Sequence, residues 1–384
     1  MQKSSIYSTT KLAHHPEALE KLRTGDAQSP TMVQWFPTNV CNQSCTFCAF
    51  GSGPEAIRAK VPNPVRSAWK NQQLIDTRSS MSLEKALETV QCLHEMGVKA
   101  VEVTGGGEPT AYTYFDKLWE ALRATGMDLA LVTNGTLLTD ARIQLLQDTP
   151  TLQWVRVSID AGDPESYVQT RHVPQSHYAK AWQSVGDLAE KCTQATVGVG
   201  FVVDRENWKG VGDAIRTTAQ SGANNIRISA AFTPEGLSRF PEGSIDFVRN
   251  EILLAASAPT VRSDFRVHDL FSERIYNVEL GRQMYSFCTW KEVGCLIGAD
   301  ATIYACCSLA YHPLGIMGSI QDKDFRTMWE GEGKQWRDGH DARKSCKIQC
   351  LYWQRNLDAI RMIADPAVEA EFVQSGTPAH VNFI

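Results

Sequence analysis

Two hydrophobic rhythms alternate along the chain from Thr31 to about Ala230. Short apolar runs lie at residues 32–36, 100–103, 129–132, 154–159, 196–203 and 225–229. Such runs, bounded by polar or glycine-containing stretches, read as strands buried on both faces. Between them, apolar positions recur at helical spacing. In residues 81–97 they fall at Leu83, Ala86, Leu87, Val90, Leu93 and Met96, with Ser82 placed to cap the start and Gly97 to stop the end. The same reasoning predicts helices over 114–124, 140–146, 176–191 and 208–221, a short one near 16–22, and another over 245–256. Six strand–helix units imply a parallel sheet with helices outside it. The pattern alone fits either a doubly wound sheet or an open barrel. Residues 49–80 form a long stretch before the first of these helices, read either as a lid or as a surface excursion.

The strand ends carry more information than the strands, because α/β enzymes build their sites on the loops that follow them. The first strand runs into Cys41-Asn42-Gln43-Ser44-Cys45-Thr46-Phe47-Cys48, the second into Thr104-Gly105-Gly106-Gly107-Glu108-Pro109, the third into Thr133-Asn134-Gly135 and the fourth into Ser158-Ile159-Asp160. Three thiolates spaced C-x3-C-x2-C suit three irons of a [4Fe–4S] cluster, which is held through cysteine sulfur. No fourth cysteine lies near, so one iron is left for a ligand, as in a catalytic metal site. A zinc knuckle would need a fourth ligand.

Composition narrows the class. The chain has 384 residues, enough for two domains, with 43% hydrophobic and 21% charged residues, as in ordinary globular proteins. A net charge of −5 argues against a general nucleic-acid binder. No apolar run is long enough to span a bilayer, and the first residues lack the apolar core of a signal peptide, so a cytoplasmic location is expected. In such a reducing compartment eleven cysteines point to metal binding more than to disulfides. Cys92 and Cys192 stand apart from the others and read as small buried hydrophobes.

The C-x3-C-x2-C triplet after a first strand, with aromatic Phe47 before its last cysteine, resembles the signature of radical S-adenosylmethionine (SAM) enzymes. Gly106-Gly107-Glu108-Pro109 matches that family's GGEP turn, which looks like the site for the amino group of SAM. Glycines there let the backbone approach a ligand closely. Asn134, Ser158 and Arg171 resemble family positions that touch the ribose or carboxylate of SAM, although Asn134-Gly135 also reads as an ordinary turn and Arg171 as a solvated surface charge. The resemblance implies a partial (β/α)6 TIM-like barrel. It also implies a [4Fe–4S] cluster on Cys41, Cys45 and Cys48 whose open iron is chelated by SAM, and a reductant such as flavodoxin or ferredoxin.

A second group of cysteines, Cys288, Cys295, Cys306, Cys307, Cys346 and Cys350, follows. The text from Gly298 to Cys306 resembles the D-G-x-V-Y-P-C hairpin of the SPASM/twitch auxiliary-cluster domains, with Ala301 in place of the usual glycine and Ala305 in place of proline. Six cysteines are one fewer than the seven of a two-cluster domain, so the layout implies one auxiliary [4Fe–4S] cluster, on Cys295, Cys306, Cys346 and Cys350. A zinc ribbon is the alternative for four such cysteines. Cys288 and Cys307 are left over and are candidates for a hydrogen-atom donor. The expected organisation is an N-terminal extension (1–30), a barrel core (31–235), connecting helices (236–287) and an auxiliary-cluster domain with a tail (288–384). The expected activity is of oxidoreductase or epimerase type on a small polar metabolite such as a sugar, aminocyclitol or nucleoside. A peptide substrate is the alternative, and a non-catalytic metal protein a further one.

Overall fold

The computed structural model describes residues 6–26, 29–51, 75–231, 236–275, 283–346 and 350–384; most of the long 49–80 stretch lies outside them. All six expected strands form: β1 (Met32–Trp35), β2 (Ala100–Val103), β3 (Asp128–Thr133), β4 (Leu152–Ser158), β5 (Thr196–Val203) and β6 (Asn225–Ala230). They pair in parallel and in chain order. Helices α1 (Pro16–Thr24), α2 (Leu83–Glu95), α3 (Phe115–Ala124), α4 (Asp140–Gln147), α6 (Ser176–Lys191), α7 (Val211–Gln220) and α8 (Ser244–Ala256) follow the predicted pattern closely, and α5 (Pro164–Arg171) is a further helix that the pattern did not indicate. The Ser82 side chain accepts the Lys85 N–H at the start of α2, and Gly97 leaves it at φ +76°.

The sheet is wider than expected. A seventh strand, β7 (Arg266–Asp269), adds in parallel beside β6. It lies in the stretch read as connecting helices, and with Val267 as its one apolar residue it carries no strand-like apolar run, as suits an edge strand. On the other side β8 (Gly294–Ile297) pairs in parallel with β1, and β9 (Thr302–Tyr304) and β10 (Ile316–Ser319) continue antiparallel from it. One 10-stranded sheet results, in the order β10-β9-β8-β1-β2-β3-β4-β5-β6-β7. The cysteine-rich C-terminal segment therefore shares a sheet with the barrel.

Alternation along the strands separates two cores. Val33, Trp35, Val101, Val103, Leu129 and Leu131 face the helices, where Cys92 and Cys192 are also buried. Met32, Ala100 and Ala130 face inward and meet Leu12, Leu19, Trp290, Met362 and Phe383. Residues near both ends of the chain thus pack beneath the sheet's inner face. No described helix is long and apolar enough to cross a membrane.

Candidate active site

The loop after β1 is fastened on two sides. On one side the β1 and β2 loops zip together: Gly107 N–H donates to the Thr38 carbonyl at 3.1 Å and Glu108 N–H to that of Val40 at 2.9 Å. The approach is so close that a Cβ on Gly107 would stand 2.2 Å from the Val40 oxygen, which requires glycine. On the other side Ser44 N–H donates to the Arg171 carbonyl and Thr46 N–H to that of Thr170, at 3.1 and 2.9 Å. The C-terminal end of α5 is thereby a strap for the cysteine loop. Asn42 ties it to the third strand end, accepting from Asn134 Nδ2 and donating to Thr136 Oγ1, each at 2.8 Å.

Glu108 is a buried junction. Its Oε1 accepts from Thr110 N (3.1 Å), Thr110 Oγ1 (2.5 Å) and Thr133 Oγ1 (2.6 Å), and its Oε2 from Asn134 N (2.7 Å). Four donors suit an ionised carboxylate, and one acceptor direction on Oε2 remains. Arg171 is no surface charge: it is 2% exposed. Its guanidinium pairs with Asp160, donates to Gln43 Oε1, and reaches the Ile159 carbonyl at 3.1 Å. Asp160 also accepts from Val202 N–H at 2.6 Å. Burial pushes the Asp160 carboxyl up, while Arg171 and the Val202 amide pull it back. The sequence placed Asp160 and Gln43 at the right strand ends, yet nothing in it indicated that they hold Arg171.

Cys41, Cys45, Cys48, Phe47, Gly106, Gly107, Glu108, Pro109, Asn134, Ser158 and Arg171 all line one cavity of about 540 Å³. Burial, then the neighbouring Cys45 and Glu108, push the Cys41 thiol well up. Burial likewise pushes Cys45 up to about 12, against the pull of Arg171. Thiolates in such surroundings need a cationic group among them, so the donor set suits a metal cluster. Among the described residues no three His, Cys, Asp or Glu side chains converge on a single ion. A cluster does not require that, since each cysteine binds a different iron.

The second set of cysteines gathers differently from the sequence reading. Cys295 lies on β8 opposite Val33 and faces the helix layer, fully buried, with Arg337 as its charged neighbour. Cys288, by contrast, has Cys350 and Cys346 among its neighbours. Thr289 Oγ1 and Trp290 N, just after Cys288, donate to Asn356 Oδ1 at 2.7 and 3.0 Å. Asn356 Nδ2 donates to the Tyr285 hydroxyl at 3.0 Å, which in turn donates to Cys350 Sγ at 3.4 Å. After burial itself, the thiols that push Cys306 up are Cys307, Cys350, Cys288 and Cys346; Cys295 is not among these neighbours. Cys307 turns the other way. It lines the cavity, with Sγ 3.4 Å from the Tyr352 hydroxyl, whereas Cys288 does not line it. Ala301, at the hairpin's usual glycine, has φ +59°, which explains why glycine is usual there.

Three comparisons with known proteins bear on this arrangement. The sequence model of the radical SAM superfamily matches residues 35–218. An S-adenosylmethionine-dependent nucleotide dehydratase of Lacinutrix mariniflava is 27% identical over 177 residues, which is 46% of this chain and 33% of that protein. A protein of the same description from a Thermoplasmatales archaeon is 27% identical over 132 residues, 34% of this chain and 46% of that one. The matched stretches thus span less than half the length of either relative. Among solved structures, Streptococcus suis SuiB bound to S-adenosylmethionine superposes with a TM-score of 0.61 at 13% identity, covering 97% of this chain and 82% of that one. Native anSMEcpe with bound AdoMet gives 0.55 at 15% identity, covering 90% and 100%. At such identities these two report a shared fold. By the family match over residues 35–218 and the cysteine loop, glycine turn and parallel strands it contains, the barrel core of this chain is a radical SAM domain.

Proposed function

We propose that this chain is a radical SAM enzyme that takes a hydrogen atom from a small polar metabolite bound inside the barrel. A radical SAM domain works with a [4Fe–4S] cluster and SAM, which together supply a 5′-deoxyadenosyl radical. Cys41, Cys45 and Cys48 would hold three irons. The Gly106–Glu108 turn, with the remaining acceptor direction on Glu108, would take the ammonium of SAM, and Asn134 and Ser158 its ribose. Arg171 holds the cysteine loop in register through Gln43 and the α5 strap. One observation carries the reading: the three thiols, the glycine turn and an inward space of about 540 Å³ belong to a single cavity. The partial matches to nucleotide dehydratases support a small-molecule substrate over a peptide.

An auxiliary cluster fits Cys288, Cys306, Cys346 and Cys350, where the thiols and their hydrogen-bonding neighbours Tyr285 and Asn356 are gathered. Cys307, which lines the cavity beside Tyr352, would return a hydrogen atom to a substrate carbon, the epimerase outcome. The sulfur radical left behind would need one electron and one proton from an external reductant. Anaerobically reconstituted protein given SAM and dithionite should release 5′-deoxyadenosine, and Cys45→Ser should abolish that release. Reconstituted wild type that yields none would refute the proposal. A Cys307→Ala protein that still passes solvent deuterium into product would remove the donor role.

A further inference from the structure

The space beneath the cysteine loop is walled by cations that the described residues do not balance. Arg156 on β4, Arg227 on β6, Arg274 at the end of the short helix Leu270–Arg274, Arg355 on the helix Trp353–Ala364, and Lys11 all line the cavity. Among the described residues, three side-chain carboxylates face them. Glu108 is held by the four donors described above, with its remaining acceptor direction assigned to the ammonium of SAM, and Asp160 belongs to Arg171. That leaves Glu102, whose Oε2 accepts from Gln34 at 3.3 Å. Lys11 is occupied by the carbonyls of His380 and Phe383, and Arg355 gives one N–H to the main-chain oxygen of Ile384, the last residue of the sequence, at 2.9 Å. Among the described residues the side chains of Arg156, Arg227 and Arg274 have neither a hydrogen bond nor an ion pair. The Nε atoms of Arg227 and Arg355 are buried without a partner.

The fold makes room for these groups. Arg156 stands level with Gly198, and Arg227 with Gly200, so the strand between them carries no side chain at either level. A Cβ on Gly200 would meet Arg156 Cδ at 3.3 Å, and one on Gly198 would fall 2.5 Å from Asn225 Oδ1. Aromatic faces hold the guanidinium planes: Trp154 at 5.1 Å from Arg156 and Tyr7 at 6.0 Å from Arg227. Burial and the charge of Arg156 lower Arg227 to about 10, so it stays cationic at neutral pH.

An uncompensated cation in a closed site is expensive to keep. Several together, with polar hydrogens aimed into one space, are matched by an anion. One carboxylate would be satisfied by one guanidinium fork, whereas a phosphate ester offers two or more faces and more charge. We infer that the substrate is a phosphorylated small molecule whose phosphate docks on Arg156 and Arg227, with Arg274 and Arg355 available to a second phosphate. This rests on the cavity being the substrate chamber.

Pyrophosphate is the probe. Calorimetric titration of reconstituted protein loaded with SAM should show saturable binding of pyrophosphate, much weaker binding of succinate, and a loss of about tenfold in affinity for each of Arg156→Gln and Arg227→Gln. On the unmutated protein, pyrophosphate should also slow phenylglyoxal modification of Arg156 and Arg227, read by peptide mass spectrometry. The inference is overturned by no saturable binding to wild type, by succinate binding as tightly, or by modification rates indifferent to pyrophosphate. Release of 5′-deoxyadenosine, measured in parallel, keeps the two failures apart. Its absence refutes radical chemistry without touching phosphate binding, and its presence with no phosphate binding refutes only the substrate class.

Discussion

Replacing Arg171 by methionine tests how the cysteine loop is held. The substitution keeps an unbranched side chain of similar reach and removes the charge. Asp160 would then keep a single donor, the Val202 amide at 2.6 Å, in surroundings where its side chain is 3% exposed. Breaking a buried pair from one side costs about 3–5 kcal/mol, mostly the penalty of the stranded charge. Loss of the bonds to Gln43 and the Ile159 carbonyl falls within that range. Guanidinium unfolding of the metal-free protein, followed by far-ultraviolet circular dichroism, should show this loss near pH 8. The gap should narrow toward pH 5.5: with its folded pKa raised above the unfolded value, Asp160 takes up a proton in the variant's native state first, and protonation relieves the penalty. Adding Asp160→Asn should recover about half, because the amide oxygen still accepts from Val202. A loss under about 1 kcal/mol in the single variant, or no recovery in the double, would show that the pair does not hold the loop as described.

Three further expectations follow from other parts of the molecule. Cys288→Ala should lower the iron of reconstituted protein by about four per chain, and Cys295→Ala should leave it unchanged; the reverse result would restore the ligand set implied by the family resemblance. At Ala301, φ +59° disfavours branched side chains, so Ala301→Val should cost at least about 2 kcal/mol. Ala301→Gly should fall within about 0.5 kcal/mol of wild type, relief of strain being offset by the lost methyl and the greater freedom of the unfolded chain. His380 is held down to about 4 by burial and then by Lys11. Its folded pKa lies below the unfolded one, so its contribution, up to about 3 kcal/mol, is complete above about pH 6.5 and is lost as pH falls toward 4. His380→Gln should flatten that part of the stability–pH curve without abolishing it, because His268 and His340 are lowered to about 4 as well.

The parts of the fold that were legible were those with a strong period. Six strands and the helices between them announce themselves by apolar runs and three-to-four spacing, and the chemistry at their ends follows from the loops. Position on a face was another matter. Gly294-Cys295-Leu296-Ile297 is apolar throughout, so its pattern does not tell which side Cys295 faces; only the pairing of β8 with β1 decides it. Arg156 and Arg227 are the charged residues of their strands, and Gly198 and Gly200 leave gaps in a third. Those were visible signals, but they have meaning only once the register sets them side by side. The overall charge of −5 concealed the lining altogether, because it averages a basic interior with an acidic exterior.

Hydrogen bonding of β8 along β1 has a dynamic consequence. A module hung on a linker can swing, and the gap between its redox centre and another then varies from moment to moment. Here the first cysteine loop leaves the C-terminal end of β1, while Cys288 precedes β8 and Cys306 follows the antiparallel β9, so the two groups lie at opposite edges of one continuous ladder. An electron moving between groups held on these segments would cross a distance set by the backbone lattice, so its transfer rate would not wait on any domain closure.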